Sequence, residues 1–267
     1  MADVRVEELE NGIHCITLDR PERRNALSPA LVGETCDAVH TLGTDRSCRV
    51  ILLHGAGRGF CAGADLVGDE TLETAEGLGE VGSVYRMQEH IAALMLAVHE
   101  APKPVIAAVH GAAVGGGFAL ALASDIRIAA DSAKFGSVFI KVGLSSCDMG
   151  TSYFLPRIVG AGRAFELMAT GRHFDAHEAL EIGLVHRVVP EGEEVDAALE
   201  TARGIAANNE YGVWMTKSGL WANVDAPSLR HALELENRTQ VLGVFTGNMV
   251  EAMHAFREKR EPKWKPL

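Results

Sequence analysis

"RVILLHGAGRGFCAGADL", residues Arg49 to Leu66, carries the reading of the fold. It opens on four consecutive apolar residues, Val50-Ile51-Leu52-Leu53, the mark of a strand buried on both faces. It leaves that strand through small residues, with one acid, Asp65, and no obvious base beside Cys61. Such a loop offers a ligand little except its main chain. A second stretch repeats the plan: "PVIAAVHG" reads as a buried strand, and "HGAAVGGGFALALASD", His110 to Asp125, as a glycine run that opens a helix. No Lys-Ser/Thr follows the glycines, so this is not a phosphate-binding P-loop, and it lacks the GxGxxG of a dinucleotide site. The first N–H groups of a helix have no intrahelical acceptor, and the helix dipole adds about half a positive charge there. Without side chains, Gly115 to Gly117 let a ligand oxygen approach the main chain closely. Two such loops can each aim one N–H at a single developing oxyanion. Close packing of strand on helix accounts for the same small residues, and the residues alone leave both readings open.

Outward from these loops, "IHCITLDRP" predicts a strand ending at Pro21. "SPALVGETCDAVHTLG" predicts a helix with a Ser-Pro start and apolar positions Leu31, Val32, Cys36, Val39 and Leu42. Val67 to Gly82 reads as an acidic loop, "SVYRMQEHIAALMLAVHE" as a helix and "DIRIAA" as another strand. This alternation predicts α/β architecture. "DAHE" at Asp175 has the residues of a capping box, and beyond Gly192 the pattern is mostly helical. The expected division is a core over residues 1–199 and a helical region over residues 200–267.

The bulk numbers narrow the function. A chain of 267 residues, 47% hydrophobic, is ample for one large core. The formal charge of −11 argues against a nucleic-acid partner and against an anionic membrane surface. No segment approaches the roughly 20 apolar residues of a membrane span, and the acidic N-terminus lacks a signal-peptide core. Five cysteines without a CxxC pair suit unpaired thiols in a reducing, cytoplasmic setting. The eleven histidines show no paired metal spacing, so no metal is expected.

"RGFCAGADL" and "PVIAAVHGAAVGGGFALALASDIRIA" together resemble the crotonase (enoyl-CoA hydratase/isomerase) superfamily. The likeness continues through "AKFG", "TSYFLPRIVGAGRAFELMATGRHFDAHEALEIGLVHRVVP" and "AFREKREPKW", from "LDRPERRNAL" onward. It implies a spiral of ββα turns with a C-terminal helical trimerisation region, assembled as a homotrimer or dimer of trimers. It also implies an acyl-CoA substrate, with no cofactor beyond the coenzyme A moiety. By the same resemblance the oxyanion donors are the N–H groups of Ala64 and Gly116. Coenzyme A contacts fall on Arg24, Ala26, Ala62, Asp65 and Leu66, with Lys259 in the basic tail approaching from a neighbouring subunit. Arg20, Arg23 and Arg24 are the local cations that an acidic protein needs for a phosphorylated ligand.

The family's hydratases use two glutamates, and here Ala119 and Phe139 occupy the matching positions. Asp148, in "GLSSCDMGTSY", stands where some relatives place a catalytic aspartate. It reads either as a lone acid–base beside an enolate or as a helix cap. The resemblance thus implies an enzyme of fatty-acid or related acyl-CoA metabolism, a lyase or isomerase that stabilises a thioester enolate. Alternatives are a catalytically silent acyl-CoA binder or another activity of the superfamily that uses Asp148. Cys147 reads as inert packing, His110 as a strand-end packing residue, and Asp125 as a structural acid. Asp69, Glu70, Glu73 and Glu89 are acids able to swing toward the pocket.

Overall fold

The computed structural model describes residues 2–65 and 77–267. Leu66, Asp69, Glu70 and Glu73 lie outside the described residues. Strands β1 (Val4–Glu10) and β2 (Ile13–Leu18) form an antiparallel pair. Helix α1 (Pro29–Thr44) follows, then β3 (Val50–Gly55), α2 (Glu80–Glu100), β4 (Val105–Val109), β5 (Ala112–Val114) and α3 (Gly116–Ala123). Next come β6 (Ile126–Ala130), β7 (Lys134–Gly136), α4 (Thr151–Val159), α5 (Ala161–Thr170), β8 (Phe174–Asp175), α6 (Ala176–Glu181) and β9 (Arg187–Val189). Helices α7 (Glu194–Ala206), α8 (Glu210–Val224), α9 (Leu229–Phe245) and α10 (Asn248–Glu258) complete the chain. One sheet has the order β1-β2-β3-β4-β6-β9, parallel from β2 onward, and a smaller sheet has the order β5-β7-β8. The chain alternates between them: β4 leads to β5 and α3, then β6 leads to β7. Two successive turns of the spiral therefore place one strand in each sheet before the next helix.

Strand β3 shows why its sequence is apolar without interruption. Ile51 and Leu53 face the core under α1, α2 and α3, while Val50 and Leu52 face a second core closed by α7. Successive side chains point to opposite faces, so a strand covered on both sides needs hydrophobes at every position. Helix α7 runs across residues 199 and 200, the boundary expected from sequence, and its Ala202 is wholly buried in the second core. The outer helical layer begins after Asn209.

Several local signals are realised as read. Ser28 caps α1 by accepting from the Leu31 N–H, with Pro29 in the first turn. Asp175 caps α6 through the Glu178 N–H, but Glu178 turns away to pair with Arg172, so the reciprocal half of a capping box is not formed. Asp125 is structural: it accepts from the Val105 N–H at 2.8 Å and pairs with Lys217 of α8, also at 2.8 Å. Helix α2 begins earlier than its apolar pattern, at Glu80, where an acid in the first turn is favoured by the dipole. No described helix is long and apolar enough to cross a membrane.

Candidate active site

Strand β3 ends at Gly55, and the loop beyond it is held from below by Asn25. This residue is fully buried with a positive φ of 55°. Its Nδ2 donates to the carbonyls of Ala56 and Gly59, each at 2.9 Å, and of Phe60 at 3.2 Å, while its Oδ1 accepts from the Arg20 N–H. Arg20 donates to the Ala26 carbonyl and pairs with Asp65 and Asp3. The sequence reading missed Asn25 and took Arg20 for a ligand cation, whereas Arg20 is spent on holding the loop. The signal was present in "RRNAL", because Asn is a residue that tolerates a left-handed conformation inside a turn. Replacing Asn25 with Ala strands three carbonyls and is expected to cost about 3 kcal/mol. The corresponding fall in Tm is roughly 6–12 °C. Thermal unfolding checks this, and an unshifted Tm contradicts it.

The segment after Asn25 runs beside the loop. Ala62 N–H donates to the Arg24 carbonyl, Leu27 N–H to Gly63, and Asp65 N–H to Leu27. Arg24, Ala26, Ala62 and Asp65, four of the six expected coenzyme A contacts, are thereby brought together; Leu66 lies outside the described residues. Arg24 is exposed, and the Asp65 carboxylate is engaged by Arg20. Lys259 lies elsewhere, exposed at the C-terminal end of α10 in a left-handed conformation. Its neighbours Arg260 and Trp264 bond to Glu251 and to the Ala207 carbonyl within the helical layer.

The two glycine loops meet. Cys61 N–H donates to the Ala112 carbonyl, and Val114 N–H returns to Cys61. Gly63 has a φ of 88°, and a Cβ there would lie 3.2 Å from the Gly116 nitrogen. At Gly117 a Cβ would fall 2.1 Å from the Cys61 carbonyl oxygen. Only glycine permits this approach, so the residue before Ala64 rests directly on the start of α3. Among the described residues neither the Ala64 N–H nor the Gly116 N–H has a hydrogen-bond acceptor. Ala64 is at the exposed rim, and every residue of α3 is buried. Two unpaired donors thus lie in adjoining loops beside the N-terminus of a buried helix, a setting that favours an anionic oxygen.

Two positions near these donors carry no acid. Ala119 is completely buried on α3, and Phe139 is buried with its ring edge against the position of Gly115. Asp148 is half-buried. Its Oδ1 accepts from the Met149 N–H at 2.8 Å and from Gln88 Nε2 of α2, a contact that no sequence spacing announced. Met149 has a φ of 46° and sets its sulfur 2.9 Å from where a Cβ on Gly116 would stand. The Asp148 side chain does not cap α4, because Gly150 holds the cap position and the Thr151 N–H takes the Asp148 main-chain carbonyl. The carboxylate therefore stands one residue from the neighbour of Gly116.

His110 is more than packing. Its ring donates from Nε2 to the Gly57 carbonyl at 3.1 Å, and its own carbonyl accepts from Phe60 N–H. It ties the second glycine loop to the first. Glu89 is exposed and paired with Arg86. Burial pushes the Cys61 thiol up to about 12 and the Cys48 thiol up to about 11, while Cys147 is exposed. A thiol reagent is expected to label native protein first at Cys147, with Cys61 and Cys48 reacting only on unfolding. Mass mapping of the labelled peptides checks the order. A separate groove of about 560 Å³ lies between α8, α9 and α10, beside Tyr211, Met215, Leu220 and Trp264, and none of the expected site residues lines it.

The comparisons with known proteins show the family and the fold. The family model for enoyl-CoA hydratase/isomerase matches residues 8–266. The chain belongs to the enoyl-CoA hydratase/isomerase family and is a hydratase/isomerase-type enzyme. It is 40% identical to a probable enoyl-CoA hydratase, EchA12, of Mycobacterium tuberculosis, over 97% of this chain and 91% of that one. It is 35% identical to the 1,2-epoxyphenylacetyl-CoA isomerase of Escherichia coli, over 99% of each chain. The crystal structure of a probable enoyl-CoA hydratase/isomerase from Mycobacterium abscessus superposes with a TM-score of 0.93 at 34% identity, covering 99% of both chains. The crotonase fold and the superfamily assignment both follow.

Proposed function

We propose that the protein binds an acyl-CoA thioester with its carbonyl oxygen on the N–H groups of Ala64 and Gly116. Asp148 then takes a proton from the carbon next to that carbonyl and returns it elsewhere on the resulting enolate. The observation that carries this reading is two acceptor-free N–H groups in adjoining loops, with Met149, which packs on Gly116, next in sequence to the Asp148 carboxylate. With a methyl at Ala119 and a phenyl ring at Phe139, those two positions supply no paired acids for adding water, so proton relocation fits the described residues better than hydration. The named isomerase among the relatives supports that direction.

Coenzyme A lies along Arg24, Ala26, Ala62, Asp65 and Leu66, with Lys259 supplied by a neighbouring subunit. This arrangement fits a homotrimer or dimer of trimers built on residues 200–267. Leu242, Phe245, Met249 and Phe256 are exposed on α9 and α10, and so much apolar surface needs a partner. The setting is cytoplasmic acyl-CoA metabolism.

The test uses saturated and 3-enoyl acyl-CoA thioesters in D₂O. Enolate formation exchanges the C2 hydrogens for deuterium even where no net product accumulates, and mass spectrometry reads the exchange. Binding without exchange or product from any thioester would leave a silent acyl-CoA binder and end the enzymatic proposal.

A further inference from the structure

Three residues from separate turns meet behind the first glycine loop: His54 near the end of β3, His110 after β4, and Glu194 at the start of α7. One donor atom from each lies within 4.8 Å of the other two. The imidazoles of His54 and His110 stack with centroids 4.8 Å apart. His110 and Glu194 are 5% and 4% exposed, so the polar atoms they present to one another are removed from water.

The hydrogen bonds decide what this cluster lacks. His110 uses Nε2–H on the Gly57 carbonyl, leaving Nδ1 turned toward Glu194 Oε1 at 3.6 Å. That buried Nδ1 has no hydrogen-bond partner. Glu194 accepts from the Gly192 N–H through its other oxygen. A neutral imidazole nitrogen and a carboxylate oxygen are both acceptors, and burying them face to face is unfavourable unless something positive stands between them. His54 likewise has one nitrogen, Nδ1, on a main-chain carbonyl, that of Ala108. Fixing one ring nitrogen on a backbone carbonyl is how metal-binding histidines are held.

We propose that His54, His110 and Glu194 form a site for a divalent transition-metal ion of the zinc type, bound through one nitrogen of each imidazole and a carboxylate oxygen. Two imidazoles and one carboxylate suit Zn²⁺, Co²⁺ or Ni²⁺, with the fourth position left to water. Ligand bonds of about 2.1 Å in a tetrahedral site set donor atoms about 3.4 Å apart. The His110–Glu194 pair is already close to that spacing, and the half-buried His54, with its donor atom within 4.8 Å of the other two, completes the set by a small side-chain movement. Through the bond of His110 to Gly57, the ion fastens the first glycine loop to β4 and α7, so its role is structural. No sequence spacing marks the site because its residues are joined only by the stacking of successive turns. The site stands independently of the acyl-CoA reading above.

The test strips the full-length protein of metal with a chelator and titrates it with Zn²⁺ alone, following heat and bound metal. The expected result is one tight equivalent per chain and a higher Tm with zinc. Both are lost, with at least about ten-fold weaker binding, in His54→Ala and in Glu194→Gln. Co²⁺ in place of zinc is expected to give visible ligand-field bands from the wild type that are lost in His54→Ala. Should Glu194→Gln fail to fold, His54→Ala and the cobalt spectrum carry the test. Absence of binding overturns the proposal, as does an equal stoichiometry in wild type and His54→Ala.

Discussion

Gly116→Pro is expected to lower acyl-CoA turnover and C2 exchange by about 10²–10³-fold, the loss that follows removal of one oxyanion donor. Proline at the first helical position is compatible with a helix, because the N–H it lacks has no intrahelical acceptor there. A Cβ at residue 116 meets Leu27 Cδ1 at 2.8 Å and Met149 Sδ at 2.9 Å, both at the ends of flexible side chains. Gly116→Ala introduces the same Cβ and keeps the N–H, so it is the control. Alanine is expected to retain much more activity than proline, with circular dichroism and Tm showing both variants folded. Equal losses in two folded variants would mean that the N–H is not the donor.

Asp148→Asn is expected to reduce C2 exchange by about 10²–10⁴-fold, the contribution of a positioned acid–base group. The amide retains an oxygen for the Met149 N–H and for Gln88, and α4 takes only the main-chain carbonyl of residue 148. Binding of the thioester and the Tm are therefore expected to change little, which separates loss of a proton carrier from loss of structure. Full exchange in Asp148→Asn sinks the assignment and returns the residue to a purely structural role.

These expectations rest on different kinds of legibility. The uninterrupted apolar run of β3, the Ser-Pro start of α1 and the Asp175 cap are short-range statements. Each is settled by neighbours in sequence, so each was readable. The beginning of α2 at Glu80 was missed because a polar first turn carries no apolar pattern, although the dipole favours it. That α7 runs across residues 199 and 200 was not legible, because α7 looks like one more amphipathic helix. Only the pairing of β3 with β4 creates the second face that α7 covers.

The sequence by itself determined the two strand-to-glycine loops, and that Ala119 and Phe139 carry no acid. It did so because periodicity, glycine placement and residue type are properties of a few consecutive positions. The tertiary structure decided that Gly63 rests on Gly116, that Asn25 and Arg20 hold the first loop, that Gln88 reaches Asp148, and that His54, His110 and Glu194 share one pocket. Those contacts join residues far apart in the chain, and parallel-strand register fixes their distances. Register arises only when whole turns stack and bury their apolar faces together.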